Sequence, residues 1–165
     1  MAIFRYVFRD PKVDLRFLAV GALLPDLIDK PLGTILLPAV FNGNGRVVGH
    51  TLLFSTVLML VVLLATRRGR IRRRWMALAV GSLIHLLLDA MWTVQETLLW
   101  PAFGWAFPPG IPEYWSNLLD SLLSDPWRIF QELVGLGYLL FLWRKAGLSD
   151  PERRSELLRT GRVTA

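Results

Sequence analysis

Long apolar runs alternate along the chain with short clusters of charge. Four apolar segments stand out: about Phe17 to Phe41, interrupted by "PDLIDKPLG"; about Val47 to Thr66; about Trp75 to Trp100; and about Ile129 to Trp143. The second and third have the roughly 20 residues that a spanning helix needs. The fourth is short but gains length from "DSLLSDPW" before it. In the first, Pro25 and Pro31 bracket two carboxylates and a lysine, which predicts a helix broken around Pro25–Pro31. No small-residue cleavage site follows that segment, so it reads as a retained span and not as a signal peptide. The expected fold is all-α: an integral membrane bundle of about four transmembrane helices over residues 1–148. A short amphipathic tail follows at 149–165, with Ser149 as cap and Pro151 in its first turn.

Composition agrees with that pattern. The chain has 165 residues, 53% of them hydrophobic, and a mean hydropathy of +0.43, too apolar for an ordinary soluble domain. There is no cysteine, which excludes disulfides and thiolate metal sites. The net charge of +6 comes from arginines beside apolar segments. That placement reads as topology signals and contacts with anionic membrane lipids, not as a nucleic-acid surface. Six arginines lie in "TRRGRIRRR" (66–74), and basic residues dominate both terminal stretches. The loop before the fourth segment carries Glu113, Asp120 and Asp125 against Arg128. The positive-inside rule then gives a multi-pass protein of the cell membrane with both termini and residues 67–74 cytoplasmic.

The polar residues inside the apolar runs carry the candidate chemistry. At about 1.5 Å of rise per residue, Asp29, His50, Asp89, Glu96 and Glu132 fall in one layer of the outer half, with Asp26 and His85 about a turn deeper. His85, Asp89 and Glu96 share a helix face. Singly, each has a structural reading: a helix cap at Asp26 or Asp29, an intrahelical His85–Asp89 bond, a snorkelling Glu132, tryptophans in an interfacial belt. Together they are costly, since a charged carboxylate in hydrocarbon costs at least a few kcal/mol. Lys30 and Arg46 are too few to pair them all. A divalent cation fits the excess, because Asp, Glu and His form the oxygen and nitrogen ligand set of Zn, Mn, Fe or Mg.

Three stretches, "GALLPDLIDKPLG", "RVVGHTLLF" and "GSLIHLLLDAMWTVQETLLWP", resemble in order the signatures of small integral-membrane proteins known as membrane-bound metal-dependent hydrolases, a group with LexA-regulated bacterial members and archaeal relatives. The resemblance covers roughly residues 17–104. Pro25, Asp26 and Asp29 match the first element, Arg46 and His50 the second, and His85, Asp89 and Pro101 the third. Thr51 stands where serine is usual, and Gly45 stands where the family pattern has a histidine, so Glu96 or Glu132 is the candidate to replace it.

The resemblance implies metal-dependent hydrolysis. The leading expectation is a divalent ion, or two, held by Asp26, Asp29, His50, His85 and Asp89. The metal activates water as nucleophile, Glu96 acts as general base, and Arg46 receives an anionic oxygen. A site at that depth suits a lipid or lipid-linked ester, with a phosphoester favoured and the aromatic loop "WPAFGWAFPPGIPEYW" above it. The alternatives are non-enzymatic: a divalent-cation or proton pathway, or a bundle stapled by metal. The second and third segments carry no charge in their cytoplasmic halves ("LMLVVLLA", "WMALAVGS"), which favours an outward-facing pocket over a pathway.

Overall fold

A computed structural model describes residues 13–110 and 126–161. They are helical, with no strand among them, as the all-α expectation holds. The chain forms two compact units, residues 1–112 and 113–165. The first contains α1 (Leu15–Pro31), a π-helical stretch (Leu32–Leu36), α2 (Pro38–Phe41), a 3-10 turn (Val48–His50), α3 (Leu52–Ala65), α4 (Arg70–Leu88), a second 3-10 turn (Met91–Thr93) and α5 (Gln95–Leu98). The second contains α6 (Pro126–Lys145) and α7 (Pro151–Thr160). Asp150, not Ser149, caps α7: its carboxylate accepts the Glu152 N–H at 3.0 Å. The loop acids Glu113, Asp120 and Asp125, both chain termini and the Glu132 side chain lie outside the described residues.

Two expectations about the helices are corrected. The first helix is not broken around Pro25–Pro31, because both prolines lie inside α1. Each proline removes an N–H and crowds the preceding turn, and the chain responds after Pro31 by widening. There the ladder lengthens, with the Leu37 N–H reaching the Leu32 carbonyl at 2.9 Å, and the Thr34 hydroxyl takes up the Lys30 carbonyl at 2.6 Å. Nor do the apolar runs become full-length spans: among the described residues, no helix is long and apolar enough to cross a membrane. Helix α3 has 14 residues. Helix α4 has 19, but they include Arg70, Arg72, Arg73 and Arg74, and it stops at Leu88 instead of continuing to Trp100. Ala90, in the left-handed region at φ 52°, turns the chain away.

Helices α1 and α4 run side by side in the same direction. Asp14, at the start of α1, meets Arg74 in the first turns of α4 at 3.1 Å, and His85 near the far end of α4 lies 3.9 Å from Asp26 of α1. Between these ends the backbones almost touch. A Cβ on Gly21 would lie 2.0 Å from the Leu78 carbonyl oxygen, and one on Gly81 would lie 2.4 Å from that of Leu18. Small residues permit this approach, the usual device where helices cannot rely on excluding water. Helix α3 runs the opposite way. Ser55 and Ser82, both buried, share a hydroxyl contact at 3.3 Å, and Arg72 reaches the Leu63 carbonyl at the other end of α3. A Gly81→Val variant is expected to lose about 3 kcal/mol, the upper end for overpacking, because backbone and not side chain must move. Gly137→Ala on α6, where a Cβ meets nothing within 4 Å, serves as the control. Thermal unfolding in detergent separates the two.

Polar residues share the interior with apolar ones such as Leu18, Ala77 and Met91, and many large apolar residues lie outside. Asp29, His50, Thr51, Ser55 and Ser82 are buried, while Leu23, Leu27, Val57, Val61, Leu64, Leu87 and Leu88 are exposed. In water so much exposed apolar surface marks an interaction face.

The end of the unit where α1 begins is tied by charge. Asp14 caps α1, and its carboxylate also accepts from the Arg16 guanidinium at 2.8 and 3.0 Å. The hydrogen bond from Arg16 holds the Asp14 carboxyl below the usual carboxylate range, with the Arg16 and Arg74 charges helping. Its folded-state pKa thus lies below the unfolded value of about 3.9. The stabilisation is present in full above that value and disappears as the pH falls through the folded one. Asp14→Ala should cost about 1 kcal/mol at neutral pH, and the gap from wild type should close on acidification in parallel melting curves.

Candidate metal centre

Four residues from three elements converge on one point at the other end of this unit. Asp26 comes from α1, His50 from the 3-10 turn before α3, His85 from the last turn of α4, and Asp89 from its C-cap. The first shared element is Asp29. It is fully buried, and its carboxylate accepts four hydrogen bonds: from the Val47 N–H at 2.8 Å, the Gly49 N–H at 2.8 Å, the His50 N–H at 3.0 Å and His50 Nδ1 at 2.7 Å. Main-chain amides only donate, so this carboxylate acts as acceptor throughout and His50 presents Nδ1–H to it. The lone pair of a neutral His50 is then left on Nε2, facing the cluster. Gly49 makes this wrap possible, since a Cβ there would lie 3.0 Å from the Pro25 Cα and 3.1 Å from Asp29 Oδ1.

Around His50 Nε2 stand three further donor atoms: His85 Nε2 at 3.3 Å, Asp26 Oδ1 at 3.6 Å and Asp89 Oδ2 at 3.8 Å. His85 Nε2 lies 3.9 Å from Asp26 Oδ1, and the two imidazole rings meet edge to face at 72°. Four ligands at about 2.0–2.1 Å from a tetrahedral ion stand about 3.3–3.4 Å apart. The separations among Asp26, His50 and His85, 3.3 to 3.9 Å, start at that edge length and exceed it by a few tenths of an ångström, while Asp89 approaches the group through His50. Asp26, His50 and His85 alone satisfy the spacing of a three-ligand site.

Three of the four inward groups are backed by an outward partner. Asp26 turns Oδ2 to Lys30 Nζ at 2.8 Å, and Asp89 turns Oδ1 to Arg46 at 2.7 Å. Asp29 backs His50. Such outer partners fix ligand orientation and tautomer in metal sites. One atom lacks a partner: Asp89 Oδ2, the inward oxygen, is buried with no hydrogen bond. A buried carboxylate oxygen facing imidazole lone pairs is unfavourable without a cation. Zn, Mn or Fe fits two nitrogens and two oxygens better than Mg, which prefers oxygen alone.

Arg46 is positioned by the loop after α2. Asn42 and Gly43 adopt left-handed conformations, the Asn44 amide donates to the Pro108 carbonyl at 2.8 Å, and its Oδ1 accepts the Arg46 N–H at 2.8 Å. The aromatic loop folds onto the same loop: Trp100 stacks on Phe107, and Phe107 meets Phe41. The described part of "WPAFGWAFPPGIPEYW" thus lies against residues 41–44; the rest falls outside the described residues.

The structure therefore brings together Asp26, His50, His85 and Asp89, with Asp29 and Arg46 in contact as outer partners. Glu96 is not among them. It sits exposed on α5, and no described hydrogen bond or ion pair joins it to the cluster. The helical spacing that aligned it with His85 ends at Ala90, so the shared face no longer exists. Lys30 and Arg46, the two cations expected to pair some of these carboxylates, do so at Asp26 and Asp89, Lys30 at i,i+4 spacing from Asp26.

The fold and this polar centre define an all-helical protein with an outward apolar surface and a candidate divalent-metal site. The chain belongs to the YdjM inner membrane protein family, whose model matches residues 2–148. No curated protein and no solved structure matches it.

Proposed function

We propose that this is a membrane-embedded metal-dependent hydrolase acting on a lipid or lipid-linked ester. The observation that carries the reading is the Asp26, His50 and His85 cluster, with Asp26 and His50 backed on their outer sides and Asp89 Oδ2 left bare beside His50. Membership of an inner membrane protein family supports the membrane. So does the exposed apolar surface of α1, α3 and α4. Their modest length is compatible with embedding when arginines such as Arg72 and Arg74 snorkel to one interface and the bilayer thins locally. The arginine-rich start of α4 is assigned to the cytoplasm and the cluster to the outer half.

Asp26, His50 and His85 would hold a divalent ion, which would supply acidification of water and polarisation of an ester oxygen. The chain's own residues do the rest. Asp29 holds His50 in the tautomer whose Nε2 faces inward. Lys30 and Arg46 fix the rotamers of Asp26 and Asp89. The opening lies on the carboxylate side, because Asp26 and Asp89 are 30% and 24% exposed while His50 is fully buried. Asp26, His50 and His85, with Asp89 beside them, would hold one ion, while Asp29 is engaged by the His50 ring and the main chain of residues 47–50.

The test is metal content together with product release from a panel of phospholipid and polyprenyl-phosphate esters. Wild type should bind about one ion and turn over at least one ester. Asp89→Asn should lose both while remaining folded, and Glu96→Gln should keep both. Tight metal binding with no product from any ester, joined to a merely lower melting temperature for Asp89→Asn, would establish a structural staple instead.

A further inference from the structure

Two cations stand at the rim of the cluster, each on the outer oxygen of a different inward carboxylate. Lys30 holds Asp26 Oδ2, and Arg46 holds Asp89 Oδ1. Both remain partly exposed, at 33% and 45%, on the side where the carboxylates also open. They come from separate elements, α1 and the loop before the 3-10 turn.

The charge count gives this arrangement a consequence. Asp26, Asp29 and Asp89 set three negative charges against the two positive charges of Lys30 and Arg46. With neutral histidines the cluster carries one net negative charge and repels an anion. A divalent ion reverses the sign, leaving one net positive charge with two cationic side chains at the opening. Resting on the metal-site reading above, we infer that Lys30 and Arg46 select a phosphoryl group, and that this group and the metal bind cooperatively. Arginine offers two parallel donors to a phosphate, and lysine a point charge. A phosphoryl group carries several anionic oxygens, enough to engage both cations and the metal-side opening together. A neutral carboxyl ester offers neither the charge nor the oxygens, so the geometry favours a phosphoester.

The coupling is a binding statement and can be read without turnover. Cobalt(II) binding to detergent-solubilised full-length protein is followed by its visible spectrum, with and without methylphosphonate. Linkage requires each ligand to tighten the other by the same factor, expected to be about tenfold or more. Arg46→Met and Lys30→Met should each reduce that factor to about threefold or less, measured against each variant's own cobalt affinity without phosphonate, which also falls because an outer partner of a ligand is lost, and Arg46→Lys should recover part of it. Acetate, with one charge and two oxygens, should give weaker linkage than methylphosphonate.

A second arm replaces methylphosphonate with dihexanoyl phosphatidic acid. Stronger linkage for the lipid assigns the phosphoryl group to a lipid head group, and equal linkage assigns it to a soluble phosphoester; both support phosphoryl selection. Cobalt binding that is indifferent to phosphonate, or linkage that survives both methionine variants, overturns the inference and leaves the metal site standing. A wild-type protein that binds no cobalt overturns the metal-site reading, and this inference with it.

Discussion

Asp29→Ala is expected to abolish the native arrangement of residues 44–50 and to lower stability by several kcal/mol. The carboxylate is fully buried and is the acceptor for three main-chain N–H groups and the His50 ring. Removing it orphans all of them, and each unsatisfied buried donor costs about 1–3 kcal/mol. Against a total stability of about 5–15 kcal/mol, that is enough to unfold a small helical unit. Asp29→Asn keeps the volume and one acceptor oxygen, so it should fold with reduced stability. It should also weaken metal binding by about 10–100-fold, the usual cost of a lost outer partner. Thermal unfolding and metal titration of the two variants give the comparison. An Asp29→Ala protein that melts with wild type would mean that these donors find other partners, and the account of how His50 is held would fail.

The second large effect is separable from the first. His85→Ala should remain folded but lose metal by more than the roughly 10–100-fold of an outer-partner loss, because an inward donor atom disappears. His85 sits near the end of α4 and is 16% exposed, so its truncation leaves a site that solvent can enter. The Gly21–Gly81 crossing that holds α1 to α4 is untouched. Far-ultraviolet circular dichroism should match wild type while bound metal is lost. Metal retained at wild-type affinity would remove His85 from the ligand set.

Much of this centre is legible in the chain, for a physical reason. Polar side chains in apolar helices are expensive, so Asp26, Asp29, His50, His85 and Asp89 stand out wherever the backbone goes. Their division of labour is not legible in the same way. Asp29 and Asp26 are both aspartates on α1, three residues apart; only the wrap of residues 47–50 around Asp29 decides that it is an anchor while Asp26 faces His50 and His85. Glu96 shows the limit of periodicity. Its alignment with His85 assumes a continuous helix, and a single left-handed alanine, Ala90, ends that helix after Asp89. The prolines of α1 show the converse. They signal a break, but the helix carries both and displaces the irregularity to the π-helical stretch after Pro31. Helix length was the least legible feature, because apolar runs in the chain extend past the residues that remain helical.

The most direct test of the central claim is X-ray absorption at the zinc edge on the zinc-loaded, detergent-solubilised protein. The account predicts about one zinc per chain, about four nitrogen or oxygen ligands at about 2.0–2.1 Å, and outer-shell scattering from two imidazoles, falling to one in His85→Ala. A shell without imidazole scattering, or an imidazole signal unchanged by His85→Ala, would contradict it.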